Sequence, residues 1–296
     1  MARIEGIAGE SDSQTSLKVR RVVAYVVLIF LVLISLLPFY LLLINATRGK
    51  TQSGLKVIPE GLFARNLRNV FSDNFKTNYG SFLRAFANSV IVSFFATTLS
   101  VYFSALTAYA IHVYDFKLKK PIHTFILIVM MVPTQASAIG LYRMLKGLGL
   151  TDSFIPLILP GIAAPAVYFF MIQYMASSLP LEIVEAARMD GCGEYRTFNT
   201  IVLPILKPAL AVQAIFCFVA NWNNLFLPQM LLDKQEMKTI PVLLQMIKAN
   251  IASNPMTADT GLMNMFMVLA ILPVVIVYLL LSKNIVGGVS LGAVKG

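Results

Sequence analysis

The sequence predicts an all-α protein that crosses a membrane several times, and three observations lead to this prediction. Hydrophobic residues make up 57% of the 296 positions and charged residues only 13%, whereas a soluble domain is nearer half apolar and a quarter charged. The apolar residues are gathered into long runs that contain no Asp, Glu, Lys or Arg. About 20 apolar residues are enough for a helix to cross a bilayer. We therefore expect a polytopic integral membrane protein.

Six uncharged stretches are long enough to cross as helices, and an even number of spans places both termini on one side. The chain then divides into an N-terminal segment 1–21, a transmembrane domain 22–282 and a C-terminal tail 283–296. The first apolar run is too long for a signal peptide and has no evident cleavage site, so it is expected to be retained. The predicted spans are Val22–Thr47, Ala85–Tyr114, Pro121–Tyr142, Ser153–Leu181, Pro208–Leu232 and Thr260–Ser282.

Prolines interrupt most of these spans. Pro38, Pro133, Pro228 and Pro273 each lie inside one, and the fourth span contains several prolines. Membrane helices tolerate proline where protein or water satisfies the freed backbone groups. Ordinary kinks and a cavity that opens near mid-membrane are both compatible with this pattern.

The charge pattern orients the chain only weakly. The net charge is +10, but the basic residues are scattered through loops, which suits anionic lipid headgroups better than nucleic acid. Lys and Arg divide evenly between the two sides of the predicted topology, so the positive-inside rule gives no answer over the whole chain. The local cluster Lys18, Arg20 and Arg21 favours a cytoplasmic N-terminus.

The loop at residues 177–207 is the most polar part of the second half, and it reads as helix, turn and helix. Ser177 and Ser178 offer capping oxygens, and Pro180 suits a first helical turn. Asp190-Gly191 is a turn signal.

The second helix of this loop should carry an apolar stripe. Tyr195, Phe198 and Val202 recur at spacings of three and four, which is typical of one face of a helix. Pro204 and Pro208 are expected to end this helix before the next span.

The loop contains a spaced pattern: Glu-Ala-Ala, three residues, Gly, nine residues, Ile, one residue, Leu-Pro. This pattern resembles the coupling loop of ABC importer permeases, in which the loop docks into a separate ATP-hydrolysing subunit. The alternative is an ordinary solvated loop. The flanking Leu179-Pro180 and Lys207-Pro208, and the ending GAVKG, resemble the maltose-type carbohydrate-uptake branch of that family. The candidate ATPase-coupling residues are Glu185, Ala186, Ala187, Asp190, Gly191, Ile201, Leu203 and Pro204.

The resemblance implies the ABC importer permease fold, with cytoplasmic coupling helices, in the bacterial inner membrane. It implies a transport subunit rather than an enzyme, which moves a sugar or oligosaccharide by alternating access. It further implies a heterodimer with a second, similar permease, two copies of a cytoplasmic ABC ATPase, an external sugar-binding protein, and cytoplasmic termini. ATP and Mg would be bound by the ATPase.

No cofactor or metal site is expected in the chain itself. Gly287 and Gly292 have the spacing of a phosphate loop, but Ala293 occupies the position that requires Lys. The two cysteines and two histidines show no metal-binding spacing.

Polar residues in the fifth span are candidates for a substrate path. Unpaired amides are costly in hydrocarbon, so they should face protein or water. Trp and amides suit a sugar, but for any single one of these residues the pattern slightly favours adhesion between helices or an interfacial Trp anchor. The candidates are Asn221, Trp222, Asn223 and Asn224.

The loop before the last span should hold an amphipathic helix, because Ile240, Leu243, Leu244 and Ile247 recur at helical spacing. Its polar tip is a candidate contact for the external binding protein, and the tail Gly292–Gly296 is expected to enter the ATPase interface. The candidate tip residues are Ser253, Asn254 and Pro255.

Three rival functions remain. An ABC permease could carry a solute other than sugar. A secondary transporter or channel would favour charged residues in mid-span, and a membrane enzyme would favour a catalytic motif. Neither of these signals is evident in the sequence.

Overall fold

The computed structural model describes residues 2–49, 57–254 and 259–292, and it describes the backbone alone at 2–16, 134–137 and 284–292. All regular structure in the described ranges is helical, so the all-α prediction is confirmed. Short 3₁₀ helices occur at Leu159–Ile162 and Gln235–Met237, and Phe198–Val202 forms a π-helical turn. The α-helices are α1 Ala2–Ala46, α2 Phe63–Val70, α3 Asp73–Tyr79, α4 Phe82–Val113, α5 Lys119–Met130, α6 Thr134–Gly147, α7 Ile155–Ile158, α8 Pro165–Ser178, α9 Leu181–Met189, α10 Glu194–Thr197, α11 Leu203–Ile205, α12 Lys207–Trp222, α13 Phe226–Leu231, α14 Ile240–Ser253 and α15 Thr260–Gly292.

Four stretches of the described chain are long and apolar enough to cross a membrane: Leu17–Ala46, Phe82–Val113, Ile155–Ser178 and Thr260–Lys283. They match the predicted first, second, fourth and sixth spans. A fifth is reached if Glu194–Ile205 and Lys207–Trp222, which meet at an angle of 81°, count as one. The predicted third span is two helices, α5 and α6, with a break between them at 131–133.

The prolines act in two different ways. Pro38 and Pro273 lie inside continuous helices, whereas Pro133 directly precedes α6 at the break in the third span. In the fourth span Pro156 and Pro160 lie in a short helix and a 3₁₀ turn, and α8 begins again at a third proline. Several prolines close together accompany the break in the fourth span, whereas a single proline, Pro133, accompanies the break in the third.

Helix α4 is the central helix, and it packs against α8, α12, α7 and the 3₁₀ turn after α7. Its buried face consists largely of small residues, which let neighbouring backbones approach closely. Gly161 is the clearest case, because a Cβ there would lie 2.9 Å from the carbonyl oxygen of Ala96 and 3.1 Å from the hydroxyl of Ser100.

One end of the bundle is closed by short helices. A core formed by α2, α3, α14 and α15 includes Phe75, Leu243 and Phe266, each at most 3% exposed. Buried Asn66 donates its amide to the carbonyl oxygens of Ala46 and Arg48, at 2.9 and 2.6 Å. These bonds satisfy carbonyls that the end of α1 leaves without helical partners.

The loop after α6 is fastened to the same end. Asp152 has a positive φ of 54°, a conformation that Asp tolerates better than most residues. Its Oδ1 accepts from the backbone N–H groups of Asp233 and Lys234, at 2.7 and 2.8 Å. These bonds tie the loop that follows α6 to the segment that follows α13.

Candidate functional site

The predicted helix–turn–helix at residues 177–207, called the coupling loop below, is confirmed as a local structure. Helix α9 ends at Met189, and Gly191 adopts a φ of +76°. The N–H of Gly191 donates to the carbonyl oxygen of Arg188 at 3.0 Å, and the N–H of Cys192 donates to that of Ala187 at 2.9 Å. This pair of bonds is a Schellman motif, which requires a left-handed residue, usually glycine, after the helix.

The start of α9 differs from the prediction. Ser178 is the last residue of α8, and the hydroxyl of Ser177 donates to the carbonyl oxygen of Tyr174 at 2.9 Å. Helix α9 begins after Pro180 without a side-chain cap. The predicted serine cap was wrong because α8 continues through both serines.

The stripe on the second helix is only partly as predicted. Phe198 and Val202 are completely buried against α4 and α8, but Tyr195 is 75% exposed. The π-helical turn at Phe198–Val202 adds a residue to that turn and alters the periodicity. Simple helical spacing therefore placed Tyr195 on the wrong face.

A polar cluster that sequence spacing did not suggest joins the loop to α4. Arg188 Nε donates to Glu194 Oε1 at 2.7 Å, across the turn. The hydroxyl of Tyr109, near the end of α4, donates to Glu194 Oε2 at 2.9 Å. The guanidinium also lies 5.3 Å from the ring centre of Tyr114. We call Tyr109, Tyr114, Arg188 and Glu194 the Glu194 cluster.

Electrostatics keep Glu194 ionised. The hydrogen bond from Arg188, followed by those from Tyr114 and Tyr109, lowers the pKa of the Glu194 carboxyl to about 2. Donors that stabilise a carboxylate have this effect in general. The cluster is therefore intact throughout the physiological pH range.

Further bonds fix the loop to the bundle. The hydroxyl of Tyr102 in α4 donates to Asn199 Oδ1 at 3.2 Å. Nε2 of His112, also in α4, lies 3.0 Å from the carbonyl oxygen of Leu179, at the entrance to α9. Helix α4 thus holds the loop at three points, Leu179, Glu194 and Asn199.

The predicted coupling residues divide between two faces of the loop. Ala187 is buried within the chain, with 4% exposure, and Ile201 and Leu203 are half-buried. The side chains exposed at the end of the bundle include two that are not among the predicted coupling residues, Met189 at 89% and Tyr195 at 75%. The predicted residues that share this exposed surface are Glu185, Ala186, Asp190, Gly191 and Pro204.

The candidate substrate-path residues are occupied by local contacts. Trp222 is 2% exposed. Its Nε1–H donates to the carbonyl oxygen of Ala270 in α15 at 3.0 Å, and its ring stacks on Phe218. These contacts match the helix-adhesion reading. They leave the Trp222 ring no open face for a sugar.

The three asparagines lie where the fifth span breaks. Asn221 donates to the carbonyl oxygen of Cys217 in its own helix at 2.9 Å. Asn223 ends α12 and is exposed, and Asn224 Oδ1 accepts from the N–H of Leu227 in α13 at 3.4 Å. Of the four candidates, Asn223 is the one whose side chain is exposed.

The amphipathic helix predicted before the last span is confirmed. Ile240, Leu243 and Ile247 of α14 are each at most 2% exposed. Ser253 and Asn254 are exposed at its end, whereas Pro255 and residues 293–296 of the tail lie outside the described residues. In the described part of the chain, no group of three or more metal-ligating side chains comes together.

Comparison with known proteins now identifies the family. A family model described as "Binding-protein-dependent transport system inner membrane component" matches residues 100–290. This chain belongs to that family. The match includes the whole coupling loop, α8 and the end of α4 that holds the loop.

Two relatives that are named as sugar transport permeases agree with this family assignment. The arabinooligosaccharides transport system permease protein AraQ of Bacillus subtilis (strain 168) is 33% identical over 284 residues, which cover 94% of this chain and 97% of that protein. The lactose transport system permease protein LacG of Rhizobium radiobacter is 29% identical over 276 residues, 93% of this chain and 96% of that one.

A solved structure shares the fold of this permease. It is described as a bacterial ABC transporter involved in the import of the acidic polysaccharide alginate. Its matched chain has a TM-score of 0.73 at 22% identity, and the match covers 90% of this chain and 96% of that one. The protein is therefore a multi-pass permease subunit of an ABC importer, a transport component and not an enzyme. Such a permease works with an ATPase and a substrate-binding protein.

Proposed function

We propose that this permease carries a sugar or oligosaccharide across the bacterial inner membrane by alternating access, driven by a separate ATPase. The names of its relatives support a carbohydrate as the substrate. They include importers of arabinooligosaccharides, of maltodextrin and of lactose. Another relative is named as a permease of sn-glycerol 3-phosphate transport. A phosphorylated non-sugar solute is therefore the second candidate for the substrate.

The observation that supports ATPase coupling best is the two-faced coupling loop. One face is packed into α4 and α8, and the other presents Ala186, Met189 and Tyr195 to the surroundings. Large exposed apolar side chains at the polar end of a membrane protein are typical of an interaction surface. A partner docked there would move the loop and α4 together.

We further propose the assembly that this docking requires. A heterodimer with a second permease would pair each of two coupling loops with one of two ATPase copies, which bind ATP and Mg. The loop would then lie in the cytoplasm together with both termini. Helix α1, whose described side chains are exposed from Leu17 to Tyr40, offers a surface for lipid or for the second permease.

The ATPase proposal is tested by enlarging an exposed alanine. Ala186→Trp adds volume that the free loop can hold, because Ala186 is exposed, but that a packed interface resists at a cost of about 1–3 kcal/mol. Ala249→Trp, on the exposed face of α14 at the other end, is the matched control. Ala187 is unsuitable because it is already buried within the chain.

The tagged chain is isolated from its native membrane, and copurifying ATP hydrolysis is measured. We expect Ala186→Trp to lose most of it while the amount of permease is unchanged, and Ala249→Trp to retain it. Equal hydrolysis in both variants would reject the docking surface. If no ATPase copurifies with the unaltered chain, transport without an ATPase is favoured.

The substrate is tested by uptake into membrane vesicles that contain the complete importer. Labelled arabino-oligosaccharides, maltodextrins, raffinose, lactose and sn-glycerol 3-phosphate are compared. Uptake of a glycan, but not of the phosphate ester, supports the sugar assignment. The reverse result supports the second candidate.

The tip of α14 is proposed to contact the substrate-binding protein. Ser253 and Asn254 are exposed, above a helix whose other face is buried. Replacing both with Gly should weaken the stimulation of ATP hydrolysis by the loaded binding protein and leave assembly intact. Unchanged stimulation would reject this contact.

A further inference from the structure

A cavity of about 600 Å³ lies between α4, α5 and α8, at the same end of the bundle as the coupling loop. Two lysines of the first turn of α5 line it, Lys119 half-buried and Lys120 exposed. The ion pairs of the described chain involve neither lysine. The remaining polar lining residues are His112, Asp115, His123, Thr124 and Gln173. Two lysines face one carboxylate, so the cavity suits a singly charged anion.

A second cavity follows the same three helices toward the middle of the membrane. Its volume is about 260 Å³, and its lining is mainly apolar, including Phe125, Ile126, Val129 and Ile162. The hydrogen bond between His123 Nδ1 and the hydroxyl of Tyr168, at 2.7 Å, joins a residue of the first cavity to one of the second.

The two cavities together have the dimensions of one membrane leaflet. Lys120 and Val129 lie nine residues apart on α5, which corresponds to about 14 Å along a helix, close to half of the ~30 Å hydrocarbon core. The charged end therefore lies at headgroup level when the apolar end lies among acyl chains.

We propose that this crevice binds one anionic phospholipid, with its phosphodiester between Lys119 and Lys120 and an acyl chain against Ile126 and Val129. Basic pockets between membrane helices recognise anionic headgroups in this way. The apolar cavity distinguishes a lipid from a free anion, because inorganic phosphate has nothing to place there.

The position of the site relates it to the coupling loop. His112 lines the charged cavity and also contacts the carbonyl oxygen of Leu179, at the entrance to α9. A lipid bound here therefore stabilises the packing of α4, α5 and α8 from which the loop projects.

The test is native mass spectrometry of the full-length chain in detergent, titrated with dioleoyl phosphatidylglycerol. Two lysines near a headgroup contribute about 1 kcal/mol each, so K119Q/K120Q should raise the Kd about 30-fold. The matched control is K117Q/K207Q, which removes two exposed lysines at the same end that do not line the cavity. This control should bind as the unaltered chain does.

Two further arms separate the possible sources of the anion. Val129→Trp fills the apolar cavity and should weaken binding of the phospholipid but not of glycerol phosphate. Phosphatidylcholine should bind far more weakly than phosphatidylglycerol. The proposal is overturned if both lysine pairs have equal effects, if Val129→Trp leaves lipid binding unchanged, or if inorganic phosphate competes as well as the lipid.

Discussion

Replacing Glu194 by Gln should loosen the coupling loop from the second predicted span. In the unaltered chain this carboxylate accepts from Arg188 at 2.7 Å and from Tyr109 at 2.9 Å. Gln retains the size of the side chain and one acceptor oxygen. It removes the negative charge that both donors face.

The expected loss follows from the exposure of each partner. Arg188 and Glu194 have side chains 37% and 42% exposed, and exposed ion pairs contribute only about 0.2–1 kcal/mol. Tyr109 is 3% exposed, so weakening its bond to a charged acceptor removes about 1 kcal/mol more. Together the loop should lose about 1–2 kcal/mol of local stability.

The assay is hydrogen exchange of the backbone amides at 181–205 in the purified full-length chain. A loss of 1–2 kcal/mol corresponds to exchange about 5–30-fold faster. Glu182→Gln is the matched control, because Glu182 is an exposed carboxylate on α9 that takes part in no ion pair of the described residues. Its amides should exchange as in the unaltered chain.

The pH dependence gives an independent check. Because folding lowers the pKa of Glu194 to about 2, the stabilisation is fully present above the ordinary carboxyl pKa of 4.5 and is lost as the pH falls toward 2. The unaltered loop should therefore lose this stabilisation below about pH 4.5 and approach the behaviour of Glu194→Gln at about pH 2, while the variant shows no such transition. Equal exchange in Glu194→Gln and Glu182→Gln at neutral pH would refute the role of the cluster.

Three other substitutions test single features of the structure. Gly191→Val should lower the free energy of unfolding by about 1–2 kcal/mol, because valine must then adopt the left-handed backbone of this position. Gly193→Val, at a φ of −70°, should not lower it. Thermal unfolding of the two variants measures the difference. Trp222→Phe should lower stability by about 1 kcal/mol through the lost Nε1–H bond and leave the KM of uptake unchanged, and a raised KM would restore the Trp222 ring to the substrate path. Asp152→Ala leaves two backbone N–H groups without their acceptor and should cost about 1–3 kcal/mol of unfolding free energy, and an unchanged melting temperature would contradict this.

The features that sequence alone predicted are those fixed by local rules. The turn at Gly191 follows from a helix end that requires a left-handed residue, which glycine adopts most easily. The buried stripe of α14 follows from helical periodicity, because Ile240, Leu243 and Ile247 lie on one face of any regular helix. Long uncharged runs predicted four described spans because about 20 apolar residues are enough for a helix to cross a bilayer.

Breaks in helices were harder to predict than their existence. Pro38 and Pro133 look alike in sequence, but only Pro133 lies at a break. A proline removes one hydrogen bond, and the surroundings determine whether the helix bends or ends. Those surroundings are set by neighbouring helices that a local pattern does not describe.

Long-range partners could not be predicted at all from spacing. Glu194 and Tyr109 are 85 residues apart, and Trp222 and Ala270 are 48 apart. The sequence analysis selected Trp222 because its residue type suits a sugar. Its hydrogen-bond partner is the backbone carbonyl of Ala270, and because every residue has such a carbonyl, no residue type in the sequence indicates this partner. The π-helical turn at Phe198–Val202 likewise changes the register between Tyr195, which is exposed, and Val202, since one added residue rotates the following side chains by about 100°.

The contacts of α4 give the coupling loop a direct connection to the opposite end of the bundle. At one end, Tyr109 bonds Glu194 of the loop. At the other, Asn88 donates to the carbonyl oxygens of Glu236 and Lys238, at 2.8 and 3.0 Å. Asn88 and Tyr109 lie 21 positions apart in one unbroken helix, which corresponds to about 32 Å. Because a helix is far stiffer along its axis than the side-chain packing around it, a partner that displaces the loop also displaces the segment that leads into α14. The surface proposed for the ATPase and the surface proposed for the binding protein are thus joined through α4.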